Sequence, residues 1–274
     1  MTINCKGNLI DFTTPKVMGI LNLTPDSFYD GGQNNSEKDI LLHTKKMLTA
    51  GADFIDVGAY SSRPGAADIS EEEELSRMIP VVKMLLKEFP EVLLSIDTFR
   101  SEVARQAVKH GAAIINDISG GNLDENMFKT VAELQVPYIL MHMRGTPKNM
   151  KDLNQYDDLV KDILFYFSER IAEARKMGIN DLIIDPGFGF SKNISQNFEL
   201  LAKLQLFRNL GLPILSGISR KSLIYKTLDI SVDEALNGTT VLNTVSLLNG
   251  AHILRVHDVK EAVECVKLTT RLRN

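Results

Sequence analysis

The chain has 274 residues, is 44% hydrophobic and carries a formal net charge of −4 at pH 7. That length is close to the roughly 250 residues of one (β/α)8 barrel, the apolar share suffices for a sizeable core, and the mild acidity argues against a broad nucleic-acid surface while leaving room for a small basic pocket. Cys5 and Cys265 form no metal-like spacing and fit a reducing compartment, and the N-terminal stretch Met1 to Thr14 holds no apolar signal segment; with no apolar run near the ~20 residues that span a bilayer, a soluble cytoplasmic protein without a membrane or nucleic-acid partner is expected.

In chain order, Ile3–Cys5 and Leu9–Phe12 flank a Gly7–Asn8 turn signal and read as a short β-hairpin able to plug the N-terminal end of a barrel. Eight apolar runs follow: Val17–Thr24, Phe54–Ala59, Leu93–Thr98, Ile114–Ser119, Tyr138–Met143, Leu182–Gly187, Pro213–Ser219 and Ile253–Asp258. Each ends in polar or glycine residues and precedes a helix-like segment. The runs are continuous rather than alternating, as parallel strands covered on both faces require.

The first helix opens at Ser36 with Asp39 and closes at Gly51. Ser70 with Glu73 is a capping-box pattern for the second, where Glu71 to Glu74 place negative charge at the helix N-terminus and Pro80 is expected to introduce a kink. The next helices are Arg100–His110, Asp124–Gln135, Asp157–Met177 and Ser195–Leu210; Ser231 with Glu234 caps a seventh, and Val259–Arg271 is the eighth. The predicted fold class is α/β: a single (β/α)8 TIM barrel over residues 1–274 with a short N-terminal β-hairpin. No G-x-G-x-x-G follows the first barrel strand, which weakens the rival doubly wound sheet.

Barrel chemistry sits at the C-terminal strand ends. Here those ends carry Asn22, Asp56, Asp97, Asn116, His142, Asp185, Ser219, Arg255 and His257. Asn22 can give a neutral oxygen to a hard cation, and Asp26 and Asp30 place carboxylates nearby in the first loop; ordinary turn chemistry explains the same residues equally well. Arg63, in the second loop, is a fork for a carboxylate or phosphate, although a loop arginine is ordinarily just solvated. Asp97 and Asp185 each follow buried aliphatics and are poorly explained by packing, because burying an unpaired charge is costly; capping of the next helix or loop is the alternative for each. Adjacent Asn116 and Asp117 point to opposite faces of a strand, so at most one faces the mouth. His142, between two methionines, reads as a satisfied core histidine. Ser219 to Ser222 and the pair Arg255 and His257 lie after strands seven and eight, where barrels often hold phosphate. Helix capping or an inter-strand salt bridge remains the alternative for these two clusters. Together these residues describe a pocket for a polar heterocycle with a phosphate-bearing tail.

The segments Asn22 to Gly32, Ser61 to Gly65, Ser95 to Thr98, Asn116 to Ile118, Asp185 to Phe190, Ser219 to Ser222 and Arg255 to His257 resemble, in order, those of the dihydropteroate synthase family of pterin-binding barrels. The resemblance implies a transferase that joins 4-aminobenzoate to (7,8-dihydropterin-6-yl)methyl diphosphate and releases diphosphate, with Mg²⁺ as cofactor and a homodimeric assembly. It implies a pterin site of Asp97, Asn116, Ile118, Met141, Asp185, Phe190 and Lys221. The aminobenzoate site would use Phe28, Ser62, Pro64, Phe190 and Ser222, where sulfonamides would compete. Asn22, Arg255 and His257 would hold the diphosphate, with the metal at Asn22. Asp30, Arg63 and Lys221 would serve catalysis, Asp30 by stabilising a cation formed when the C–O bond breaks first. One departure stands out: Ala59 and Tyr60 occupy positions where the family commonly has Gly-Glu, and Ser62 stands in place of Thr. A methyl-transferring pterin barrel and a non-catalytic ligand-binding barrel are the rival readings. Arg255, His257 and Ser219 to Ser222 disfavour the first, and Asn22, Asp30, Asp97, Asp185 and Lys221 the second.

Overall fold

The structure, a computed structural model, describes residues 1–23, 33–60 and 68–272. The chain opens with an antiparallel hairpin of β1 (Thr2–Cys5) and β2 (Asn8–Asp11). Its turn is Lys6 and Gly7, with φ of 53° and 81°. Positive φ at both central residues gives the two-residue turn whose twist matches the flanking strands, so the turn falls one residue earlier than the Gly7–Asn8 signal.

Eight parallel strands follow: β3 (Lys16–Asn22), β4 (Phe54–Gly58), β5 (Leu94–Asp97), β6 (Ile114–Asp117), β7 (Tyr138–Met141), β8 (Leu182–Asp185), β9 (Leu215–Ser216) and β10 (Ile253–Val256). From β3 to β8 each strand pairs with the next in sequence; β10 then lies between β3 and β9. The β8–β9 seam closes through a parallel bridge from Ile184 to Ile214, where the Ile184 amide donates to the Pro213 carbonyl at 2.9 Å. This is the predicted TIM barrel. The predicted runs extend past the strand ends because the exit residues leave the ladder to form loops, and the seventh shrinks to two residues.

The outer helices are α1 (Gln33–Thr49), α2 (Glu71–Glu88), α3 (Ser101–Lys109), α4 (Met127–Leu134), α5 (Leu159–Lys176), α6 (Ile194–Ala202), α7 (Ser222–Leu228), α8 (Leu236–Leu248) and α9 (Val259–Arg271). Ser70 caps α2 by accepting from the Glu73 amide at 3.2 Å, and α2 runs on through Pro80 as one element. Two segments differ from the sequence reading. The predicted sixth helix divides into α6 and a 3₁₀ segment, Leu204–Leu210. The Ser231 hydroxyl does donate to Glu234 Oε2 at 2.8 Å, but this closes a turn before α8 rather than capping a helix, and α7 occupies the segment after β9.

Strand alternation sorts side chains into two layers. Val17, Leu21, Ile55, Val57, Leu94, Ile96, Ile115, Leu140, Ile184, Leu254 and Val256 face the helices and join one core with them. Met18, Phe54, Ile114, Ile139, Ile183, Leu215 and Ile253 point into the barrel, where Ile3, Cys5 and Phe12 of the hairpin segment pack under them. The plug therefore contributes core, not decoration. Phe12, 4% exposed, makes the test: Phe12→Ala should lower unfolding free energy by about 3–5 kcal/mol through the cavity left behind, read as a lower urea midpoint at unchanged slope.

Candidate functional site

Above the apolar floor, the inward positions nearest the strand exits become polar. Asp56, Asp97, Asn116, Asp185 and Arg255 enter the mouth from β4, β5, β6, β8 and β10. Arg255 reaches across the intervening strand β3. Its Nε donates to Asp56 Oδ2 and its Nη2 to Asp97 Oδ2, both at 2.6 Å. Asn116 Nδ2 donates to the same Asp56 oxygen at 3.0 Å. Asp56 is fully buried and Asp97 half-buried. Burial pushes the Asp97 carboxyl up to about 7, opposed by Arg255 and reinforced by Asp56.

Asp97 can sit there because β4 ends in glycine. A Cβ on Gly58 would stand 3.3 Å from the Asp97 Cβ, tighter than ordinary packing. The alternation at Asn116 and Asp117 falls as expected for adjacent strand residues. Asn116 faces the mouth; Asp117 turns outward, where Tyr138 Oη donates to it at 2.6 Å and the Ser119 and Gly121 amides at 2.7 and 2.8 Å.

Asp185 closes the opposite side. Its Oδ1 accepts from the Gly187 amide at 2.8 Å, and burial raises its pKa against the pull of Lys221. Lys221 donates to the Phe188 carbonyl and lies 4.7 Å above the Phe190 ring. Burial lowers its ammonium to about 8, with Asp185 holding it up. Ile118, Met141 and Phe190 belong to one apolar cluster with Met143, Met150, Phe99 and Leu123, so a flat apolar wall borders the polar edge. Ser219 Oγ and His257 Nδ1 stand 3.0 Å apart, joining the exits of β9 and β10. Asn22 is the last residue of β3, beside Gly58, and is half-buried. Ser222 opens α7.

The structure thus brings together Asn22, Asp97, Asn116, Ile118, Met141, Asp185, Phe190, Lys221, Ser222, Arg255 and His257 at the strand exits. Phe28, Asp30, Ser62, Arg63 and Pro64 lie outside the described residues. Of the two adjacent cations, only Lys221 serves the mouth. Arg220 is drawn into a fork on Asp258, at 2.8 and 2.9 Å, and onto the carbonyls of Val232 and Asp233. That is the inter-strand salt-bridge alternative for this residue.

Other roles carry no plain sequence signal. Asp56 is the carboxylate on which Arg255 and Asn116 converge. Lys192 is buried beside His142, with Nζ 3.1 Å from Nδ1. His142 is 2% exposed, and burial and Lys192 hold it neutral well below its ordinary pKa, in keeping with a core histidine. Glu74, among four acids read as helix-terminal charge, is buried and accepts from Thr98 Oγ1 at 2.6 Å and from Arg100. Arg100 in turn covers the rings of Tyr60 and Phe99, which meet edge-on at 5.0 Å. Tyr60 hydrogen-bonds Asp68, and Asp68 pairs with Lys148 at 2.7 Å. The residue that departs from the family pattern therefore ties the β4, β5 and β7 exits together through aromatic and polar contacts.

The family described as pterin binding enzyme matches residues 18–257. The chain is 47% identical to the dihydropteroate synthase of Escherichia coli K12 over 98% of its own length and 95% of the relative's. Among solved structures it is similar to Yersinia pestis dihydropteroate synthase in a sulfonamide drug complex, with TM-score 0.93, 42% identity and coverage of 100% and 99% of the two chains. It is also similar to the Xanthomonas albilineans enzyme with 4-aminobenzoic acid, with TM-score 0.92, 38% identity and coverage of 99% and 98%.

The buried network has a pH signature. A folded-state pKa near 7 for Asp97, against roughly 3.9 in an unfolded chain, means the folded protein keeps a proton the unfolded one has lost. The Asp97 contribution is fully present below about pH 4 and is lost as pH rises through about 7. Asp97→Asn should flatten that decline, so that urea unfolding of variant and parent diverges progressively in the variant's favour between these limits. A constant difference across the range would contradict the assignment.

Proposed function

The chain belongs to the pterin-binding enzymes and within them to the dihydropteroate synthases, transferases that condense a pterin with 4-aminobenzoate in folate biosynthesis, and we propose how its strand-end residues carry out that reaction. The observation supporting the reading is the placement of Asp97, Asn116 and Asp185 at inward strand ends of one barrel mouth, with Lys221 over the ring of Phe190, which shares an apolar cluster with Ile118 and Met141. An amino-pyrimidine edge offers paired N–H donors that a fixed carboxylate such as Asp185 accepts. Asn116 both donates and accepts, and Lys221 donates to a ring nitrogen or carbonyl. The flat face of the heterocycle lies against the wall.

The donor in this reading is the (7,8-dihydropterin-6-yl)methyl diphosphate. His257 and Arg255 take the diphosphate; Nε and Nη2 of Arg255 are committed to Asp56 and Asp97, so its Nη1 edge is the one that meets the anion. Asn22, at the exit of β3, offers a neutral amide oxygen, a donor that suits Mg²⁺, which favours one or two protein oxygens together with substrate phosphates and water. Asn22 would hold it, and when bound it would neutralise charge on the leaving diphosphate. C–O cleavage comes first, Asp30 stabilises the pterinyl methylene cation, and the weakly basic amine of 4-aminobenzoate attacks. Phe28, Ser62, Pro64, Phe190 and Ser222 hold that second substrate, Arg63 assists at the same loop, and sulfonamides compete there. The cytoplasm is the compartment we assign, in keeping with Cys5 and Cys265 as buried free thiols.

Formation of dihydropteroate with one diphosphate released per product should require pterin diphosphate, 4-aminobenzoate and Mg²⁺ together and should stop on chelation. Diphosphate released with no dihydropteroate formed when all three are present would overturn the synthase reading. Asp30→Ala should lose turnover far more than pterin affinity; equal losses would remove the cation-stabilising role.

A homodimer formed by the outer helices belongs to the same reading. Val241 and Leu248 of α8 and Leu268 of α9 are at least half exposed, and these two helices pack side by side. Light scattering should give twice the monomer mass for the parent and the monomer mass for Leu248→Glu. A monomeric parent would refute the assembly.

A further inference from the structure

Lys192 takes no part in the reaction as described, yet it is a buried ammonium, 9% exposed. Such a group is costly unless every donor finds an acceptor. Its Nζ donates to the Gly187 carbonyl at 3.0 Å and the Phe190 carbonyl at 2.9 Å, and stands 3.1 Å from His142 Nδ1. With His142 neutral, Nδ1 is the third acceptor and the ammonium is fully used.

Two of those acceptors are the ends of one turn, which the Phe190 amide closes by donating to the Gly187 carbonyl at 3.1 Å. The turn is pressed hard against the exit of β7. Gly187 has φ +73°, and a Cβ there would stand 2.1 Å from the His142 carbonyl oxygen, so no other residue fits. The same turn supplies three parts of the pocket. The Gly187 amide orients Asp185, the Phe188 carbonyl accepts from Lys221, and Phe190 carries the ring beneath the Lys221 ammonium. Asn197 steadies it from α6, accepting from the Gly189 amide at 2.7 Å and donating to the Lys192 carbonyl at 3.3 Å.

We propose that Lys192 is a positioning residue for the pterin pocket: its ammonium gathers the carbonyls of Gly187 and Phe190 against His142, so that Asp185, Phe190 and Lys221 present themselves to one ring together. The inference rests on the pterin reading of the mouth. A methionine has the right length and no donors, and a glutamine has two donors of the three. Burial lowers the lysine to about 7, with Asp185 opposing the shift, so its contacts offset only part of the cost of burying the charge.

The test measures the Kd of 6-hydroxymethylpterin by calorimetry, with thermal unfolding alongside, for the parent, Lys192→Met and Lys192→Gln. Lys192→Met should weaken pterin binding by about ten- to a hundredfold, the scale of lost charge-assisted hydrogen bonds, and Lys192→Gln by less. In an Asp185→Asn background the methionine substitution should add little, because both changes act through the same contacts. A folded Lys192→Met with parental Kd and only a lower melting temperature would reduce Lys192 to a structural role, as would full additivity with Asp185→Asn. If the methionine variant does not fold, parental Kd in Lys192→Gln overturns the proposal equally. A parent that binds no pterin would instead refute the reading of the mouth.

Discussion

One guanidinium holds the mouth of this barrel together. Arg255 spans from β10 across β3 to carboxylates on β4 and β5, so three strand ends share one charge network that is largely but not wholly withdrawn from water. Such a network is a poor source of net stability, since desolvation cancels much of the attraction, but removing one member typically costs about 3–5 kcal/mol because the others stay buried and unpaired. The consequence is directional. Asp97, Asn116 and Asp56 are fixed relative to one another before any ligand arrives, and a pocket already organised loses less free energy to ordering when it binds. Arg255 is thus first a frame for carboxylates and only through its remaining edge a contact for an anion.

The opposite side is organised by a different device. Between Asp185 and Lys192 the chain makes a turn that presents backbone groups, not side chains, to the interior. The Gly187 amide serves Asp185, the Phe188 carbonyl serves Lys221, and two further carbonyls serve Lys192. Backbone groups buried away from water must be paired, and here each pairing also aims a functional side chain. Lysines at 192 and 221 balance Asp185 without a direct ion pair to it, which leaves that carboxylate free to accept from a ligand edge.

How much of this the sequence reveals depends on the kind of partner involved. Asp97 and Asp185 stand out because a carboxylate after several aliphatics has no packing reason to be there. The period of two in a strand separates Asn116 from Asp117, but only the barrel decides which one faces inward. Lys192 escapes notice because its acceptors are carbonyls, which every residue carries and no sequence displays. Arg220 and Lys221 are neighbours of like charge, and nothing in their order says that Arg220, at φ +52°, turns away to Asp258 while Lys221 turns inward. The alternation of strands and helices is plain from composition; the split of the sixth helix and the extra α7 are not, since tertiary packing overrides short-range propensity at element ends.

Tyr60 shows how a loop base can be held without the usual acid. A carboxylate at this position would stand near Asp68 and compete for Arg100 with Glu74, which is already buried with Arg100 and Thr98. A phenol brings an apolar ring that packs on Phe99 and under Arg100, and a hydroxyl that still bonds Asp68. The guanidinium is thereby shared between an ion pair on one side and two aromatic faces on the other, an arrangement arginine tolerates because it is planar and weakly hydrated. The exits of β4 and β5 are thus joined twice, by Tyr60 with Phe99 and Arg100 beyond the strand ends and by Arg255 between Asp56 and Asp97.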